Sequence, residues 1–247
     1  MAESVKSDGL YAALRSRILN GELRPGQSLR LRSLAQQLGS SATPMREALN
    51  RLHAESFVTA EANKGFRVAT MTLDELEDLE SARSVIETHL LAASIDEGDR
   101  NWESALVGAH YRLSKCVVPN SFSQSGTIDI WDAAHTQFHL ALIAGSSSKW
   151  LMNFAGQINA QLQRYRRLII LRIDHLNRVA EDEGAGGITI LSREALGIDA
   201  HAALLQAALD RDKQAAEALM RDHIRLAKDA FLKLAHASGI AGIETTR

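Results

Sequence analysis

Residues 29–52 read LRLRSLAQQLGSSATPMREALNRL, two short helices around a tight turn. Leu31, Leu34, Ala35 and Leu38 recur at helical spacing, and Gly39 supplies a residue able to close the first helix at positive φ. Thr43 offers an N-cap hydroxyl to the second helix, with Pro44 preset for the first helical position. Met45, Ala48, Leu49 and Leu52 form its buried stripe, while Arg46 and Asn50 occupy another face one turn apart. That is the layout of a helix-turn-helix whose second helix enters a major groove.

The flanks extend the motif into a winged form. Leu10 to Leu19 reads as an amphipathic helix with Leu10, Leu14, Ile18 and Leu19 inward, ended by Asn20 and Gly21. Beyond the second helix, Phe57–Ala60 and Phe66–Ala69 are β-prone runs bracketing Glu61-Ala62-Asn63-Lys64-Gly65, a turn with a cation at its tip. Such a hairpin would place Lys64 and Gly65 against a sugar-phosphate backbone or minor groove.

Charge agrees with this placement, though weakly. The chain of 247 residues carries a net charge of −2, yet residues 1–70 are net +4 and the remainder net −6. Basic excess on the expected DNA reader suits counterion-release binding. A single cysteine, Cys116, rules out an intrachain disulfide. The start MAESVKSDG has no apolar signal core, and no run approaches the length of a membrane span, so a cytoplasmic protein with no membrane partner is expected.

After Thr70 the pattern changes to long helices. Thr72 and Glu75 stand at capping-box spacing, and Leu76, Leu79, Ala82, Arg83, Ile86, Leu90 and Ala93 follow at steps of three and four. Further helices are expected around 102–118, 128–144, 150–172, 194–210 and 213–236, with a glycine-bearing loop over 182–197. There is no βαβ alternation, no glycine-rich phosphate loop and no internal repeat. The expectation is a mainly α protein: a winged helix-turn-helix domain over 1–70 and an all-helical bundle of six or seven helices over 71–247.

Together these stretches resemble the GntR superfamily of transcription regulators. LAQQLGSSATPMREALNRLHAESFV followed by NKGFRV is similar to its winged motif. ARSVIETHLLA, AAHTQFHLALIAGSSSKWL and DAHAALLQAALDRDKQAAEALMRDHI are similar to motifs of the FCD effector domain of the FadR branch, in the same order. The resemblance implies a homodimeric regulator bound to a palindromic double-stranded operator, with the helical domain dimerising and binding an effector. It implies DNA contacts by Arg32, Ser41, Thr43, Arg46, Lys64 and Gly65. Arg46 is suited to bidentate recognition of guanine, and Arg32, Ser41 and Thr43 to holding phosphates. Family members usually carry Arg where this chain has Ala42.

His135 and His139 stand at i, i+4 on one helix, and His201 and His223 on two others. Spacing alone favours core or surface histidines over ligands. In the FadR branch many members bind a metal through one Asp and three His. His139, His201 and His223 match those histidines, while His135 occupies the usual Asp position. The fourth ligand is therefore His135 or, from a turn earlier, Asp132. An imidazole-rich set favours a divalent transition metal, zinc or nickel first, over magnesium or calcium.

Cations in the bundle suit a small carboxylate effector. Arg83 matches an arginine that often faces the effector pocket in similar proteins, and Arg164 with Tyr165 is a candidate for its far end. Some of the arginines in QRYRRLIILR are expected at the surface, since successive helical positions face different ways. The pattern WDxxHxxFH is similar to the CsiR type of regulator, which implies glutarate or a homologue. A histidine-metal hydrolase and a winged architectural protein without effector are the rival readings. No HExxH arrangement or nucleophile elbow supports the first.

Overall fold

The DNA-reading segment folds from three helices and a small sheet. In this computed structural model residues 2–61, 65–118, 125–182, 197–238 and 243–244 are described. The chain divides into two units, Met1–Leu73 with Ala241–Arg247, and Asp74–Ile240. Helix α1 (Ala2–Leu19) begins well before Leu10 and buries Leu10, Leu14, Ile18 and Leu19. It packs on α3 (Ala42–Ala54), and α2 (Leu31–Gln37) packs on α3 from another side. Gly39 has φ of 59°, so the turn between α2 and α3 uses the left-handed region as expected.

Ser41, not Thr43, occupies the N-cap position of α3, with extended backbone at φ −91° and ψ 169°. Pro44 is therefore the third residue of the helix rather than the first. The shift is tolerated because first-turn N–H groups have no intrahelical partner for proline to remove.

The wing is a three-stranded sheet in the order β1-β3-β2. β2 (Val58–Glu61) pairs antiparallel with β3 (Gly65–Val68), Val58 opposite Val68 and Glu61 opposite Gly65. β1 (Ser28–Leu29), which the sequence reading lacked, pairs antiparallel with the other side of β3. Gly65 has φ of 96°, and a Cβ there would lie 3.3 Å from the Leu29 carbonyl oxygen, so strand pairing and backbone both demand glycine. A second, parallel pair joins β4 (Met71–Thr72) to β5 (Ile243–Glu244). Two-residue strands carry no periodic signal, which is why neither was visible beforehand.

The second unit is built from six helices among the described residues: α4 (Leu73–Glu97), α5 (Arg100–Ser114), α6 (Ser125–Ile143), α7 (Lys149–Asp182), α8 (Ile198–Leu209) and α9 (Lys213–Ser238). Residues 183–196 of the expected loop lie outside the described set. Leu90, Leu91, Trp102, Leu106, Trp131, Phe138, Leu204 and Met220 belong to its continuous core. The Asp99 carboxylate caps α5 by accepting from the Asn101 and Trp102 amides, both at 2.9 Å. The Trp102 indole N–H donates to the Ala141 carbonyl at 2.9 Å, tying α5 to α6. No described helix is long and apolar enough to cross a membrane.

Candidate nucleic-acid interface and histidine centre

The amphipathic pattern of α3 sets up the first surface. Its buried face is Pro44, Met45, Ala48, Leu49 and Leu52, leaving Ser41, Thr43, Arg46 and Asn50 exposed. Arg32 is exposed on α2 and Gly65 at the start of β3, whereas Lys64 lies outside the described residues. Other cations of this unit have internal roles. Arg51 pairs with Asp8 and lies 4.2 Å over the Tyr11 ring, joining α3 to α1. Arg67 donates to Glu61 at 2.7 Å and to the Gly26 carbonyl, bracing the wing. Arg32 and Arg46 form no ion pair among the described residues, so their guanidiniums remain available to a polyanion.

The second site lies within the bundle. His135 and His139 from α6, His201 from α8 and His223 from α9 converge, all four buried. One nitrogen from each lies within 4.8 Å of the others. Ring centroids are 4.6 Å apart for His135–His139, 5.0 Å for His139–His223 and 4.7 Å for His201–His223. Trp131 stacks on His135 at 4.7 Å, and Phe138 meets the His201 ring edge-on at 5.4 Å, so aromatic walls hold the group.

His135 Nδ1, His139 Nε2, His201 Nε2 and His223 Nδ1 are buried with no hydrogen-bond partner. The opposite nitrogens are engaged in two cases. His201 Nδ1 lies 2.6 Å from the Gly197 carbonyl, and His139 Nδ1 lies 3.3 Å from Arg83 and 3.8 Å from Glu87. Desolvation pushes His135, His139 and His223 well below the ordinary imidazole range, helped by neighbouring cations and by the other histidines. For His201 desolvation brings the value down to about 4. The rings are therefore neutral near pH 7 and keep lone pairs for a ligand. Metal–nitrogen bonds of about 2.0–2.1 Å would need less than an ångström of ring movement from this arrangement. The residues fit a borderline divalent ion.

Asp132 takes a different part. Its carboxylate is fully buried, accepts from Arg166 Nε at 2.6 Å and from Gln163, and lies 3.7 Å from Arg167. The structure thus brings His135 into the group and turns Asp132 toward α7.

Arg83 adjoins the histidines, as its place in the sequence suggested. It lies 3.1 Å from Glu87 and 3.5 Å from Glu80, all three buried on one face of α4. Burial works against the guanidinium's charge, but Glu87 and Glu80 outweigh it and hold its pKa above the ordinary value. Asn159 donates to Glu87 Oε1 at 2.7 Å and fixes that carboxylate. Arg164 instead donates to Gln161 at 2.8 Å, and the Tyr165 hydroxyl donates to Glu75. Arg166 is the second guanidinium that depresses His135.

Of the four arginines among which some were expected at the surface, the side chain of Arg172 lies outside the described residues. Arg164, Arg166 and Arg167 are buried beside a fully buried Tyr165, each with its own acceptor: Gln161, Asp132 and, for Arg167, Asp129. Paired guanidiniums can be buried where unpaired ones cannot. Glu80, Glu87, Asn159 and Arg166 were missed as site residues. The spacing of Glu80, Arg83 and Glu87, three and four apart, was the available signal.

Comparison with known proteins agrees with both halves. Residues 6–68 match the gntR family of bacterial regulatory proteins, and residues 78–226 match the FCD domain. The chain is similar to the HTH-type transcriptional repressor GlaR of Escherichia coli, 32% identical over 87% of this chain and 90% of that protein. It is also similar to the uncharacterized HTH-type transcriptional regulator BphR of Paraburkholderia xenovorans, 31% identical over 88% of this chain and 81% of that protein. Among solved structures, E. coli McbR/YncC superposes with a TM-score of 0.66 at 19% identity, covering 92% of this chain and 97% of that one. That likeness concerns the fold.

Proposed function

The chain belongs to the gntR family of bacterial regulatory proteins and carries an FCD domain, so it is a transcriptional regulator, and from that premise we propose that it is a homodimeric repressor released by a small carboxylate. The DNA-binding domain is 1–70 and the effector-binding, dimerising domain 71–247 in this reading. Arg46 reads a base edge, and Arg32, Ser41, Thr43, Lys64 and Gly65 hold the backbone of a palindromic operator.

One observation carries the effector half of the proposal: four buried imidazole nitrogens converge without a hydrogen-bond partner. Such groups are costly unless something accepts their lone pairs. His135, His139, His201 and His223 would hold a divalent ion, zinc or nickel, which would accept a carboxylate oxygen where its coordination expands beyond the four imidazoles, as that of nickel can. Because all four donors are neutral, the ion's charge is not cancelled by its ligands, which favours an anionic effector. Arg83 supplies a planar, two-pronged donor beside the histidines for a second carboxylate. A dicarboxylate of glutarate size suits this pair of anchors, and Arg164 with Tyr165 stands further along α7.

Release from DNA requires the ligand to prefer the arrangement that does not bind the operator. A coupling of about 1–3 kcal/mol corresponds to roughly 5–150-fold weaker binding. The test has two parts. Metal content is measured in the gently purified protein and in His139→Ala. Operator binding is then followed with C4 to C6 dicarboxylates. Equal, negligible metal in both proteins refutes the metal centre, and operator affinity indifferent to every dicarboxylate refutes the effector class.

A further inference from the structure

A groove of about 410 Å³ runs between α4 and α9. Ser81, Ser84 and Val85 line the α4 side, and Arg221, Arg225 and Lys228 stand on the α9 side. Its buried members are Ile224 and Glu80; Glu80 is only 2% exposed, and both of its carboxylate oxygens lack a hydrogen-bond partner. Glu80 Oε2 lies 3.5 Å from Arg83 Nη1, while Arg83 Nη2 lies 3.3 Å from His139 Nδ1. One guanidinium therefore links the groove to the histidine centre.

Glu80 and Glu87 are anchored differently. The other oxygen of Glu87 accepts from Asn159 and its contact with Arg83 is the closer one, whereas Glu80 has no second anchor of that kind. Burial pushes the Glu80 carboxyl above its usual range, Arg83 opposes this, and Glu87 adds to it. The other charges around it are Arg166 of α7 and, along the groove, Arg221, Asp222, Arg225 and Lys228 of α9. Arg221 and Arg225 are paired with Glu217 and Asp222 on their own helix. A third carboxylate arriving at Arg83 would meet two already there. In a buried site they cannot all stay ionised around one guanidinium.

We propose that the α4–α9 groove is the route by which a carboxylate ligand reaches Arg83, and that Glu80 yields its place there as a neutral acid, taking one proton from solvent per ligand bound. This rests on the reading that the effector is a carboxylate held at Arg83. Glu80 is then the residue that sets affinity and its pH dependence. A ligand carboxylate at Arg83 puts a further anion beside Glu80 and raises its proton affinity. Binding is therefore strongest at low pH and weakens as pH rises, because one proton is linked to one ligand.

The experiment is calorimetry of the metal-loaded full-length protein with glutarate, succinate and adipate, in buffers of different ionisation enthalpy. The parent is expected to take up close to one proton per ligand near neutrality. Glu80→Gln is expected to bind at least as tightly, without proton uptake and with affinity flat from about pH 6.5 to 8. Lys228→Glu, at the groove and away from the buried pairs, is expected to slow association severalfold at low salt. It reports on the route whether or not Glu80→Gln folds. Binding without proton uptake by the parent overturns the inference alone, as does uptake that persists in Glu80→Gln or an unchanged rate in Lys228→Glu. Failure of all three acids to bind the parent overturns the carboxylate reading and this inference with it.

Discussion

A divalent ion taken up by the histidine centre should stabilise the bundle by an amount the geometry bounds. Four ring nitrogens are buried and partnerless, and each costs about 1–3 kcal/mol if nothing binds it. An ion at a free concentration about 100 times its Kd stabilises the native state by about 2.7 kcal/mol. In a unit of this size each 1 kcal/mol moves Tm by about 2–4 °C, so the bundle transition should rise by about 5–11 °C on loading. Scanning calorimetry with chelator, then with added zinc or nickel, measures this, and His139→Ala should lose most of the response. A pH series sharpens it. His201 titrates at about 4 in the folded chain but near 6.5 when unfolded, so the unfolded state binds protons first as pH falls. Stability of the metal-free protein is therefore full above about 6.5 and lost progressively down to about 4, by roughly 3 kcal/mol from His201 alone. A bound metal adds stability near neutrality but makes the loss on acidification steeper, because its ligands must release it before they take up protons. A Tm indifferent to chelator and to zinc in the parent refutes the reasoning.

Other consequences are local. Arg46→Ala should lose about 1–3 kcal/mol of specific operator binding through a missing bidentate base contact, and gel shifts showing parent-like affinity would remove Arg46 from the reading surface. Gly65→Ala should destabilise the winged unit by about 1–3 kcal/mol, given φ of 96° and 3.3 Å to the Leu29 carbonyl; urea unfolding checks it, and an unchanged midpoint contradicts the strain argument. Asp132→Asn should cost about 3–5 kcal/mol by leaving Arg166 without its buried counter-charge, while Arg167 keeps Asp129, and metal content should stay. Metal lost while the fold stays intact would make Asp132 a ligand after all.

The sequence showed what repeats along the chain and hid what is decided across it. The stripe of Met45, Ala48, Leu49 and Leu52 and the glycine at 39 announced two helices and their turn, because each signal lies within a few residues. Strands β1, β4 and β5 are two residues long and exist only through partners distant in sequence. The same limit applied to α7. Neighbouring arginines on an isolated helix must point in several directions, and some should meet water. Here Gln161, Asp132 and Asp129 receive them in turn, and no local pattern specifies that. The four histidines were visible by family likeness, whereas what surrounds His135 and Asp132 needed the third dimension: two guanidiniums approach the aspartate, and the imidazole lies with the other three.

That division of labour has an electrostatic consequence. A centre of one aspartate and three histidines cancels part of its ion's charge with a ligand. Here the Asp132 carboxylate neutralises guanidiniums of α7 instead, and His135 brings no charge to the centre. Glu87, 3.8 Å from His139, and Glu80 beyond Arg83 are both engaged with that guanidinium. With a divalent ion bound, the pocket would be more electropositive than its three-histidine counterpart, in surroundings where burial keeps charge poorly screened. An anionic ligand is the species that relieves this imbalance. The substitution at position 135 therefore bears on the strength of effector binding as well as on metal choice.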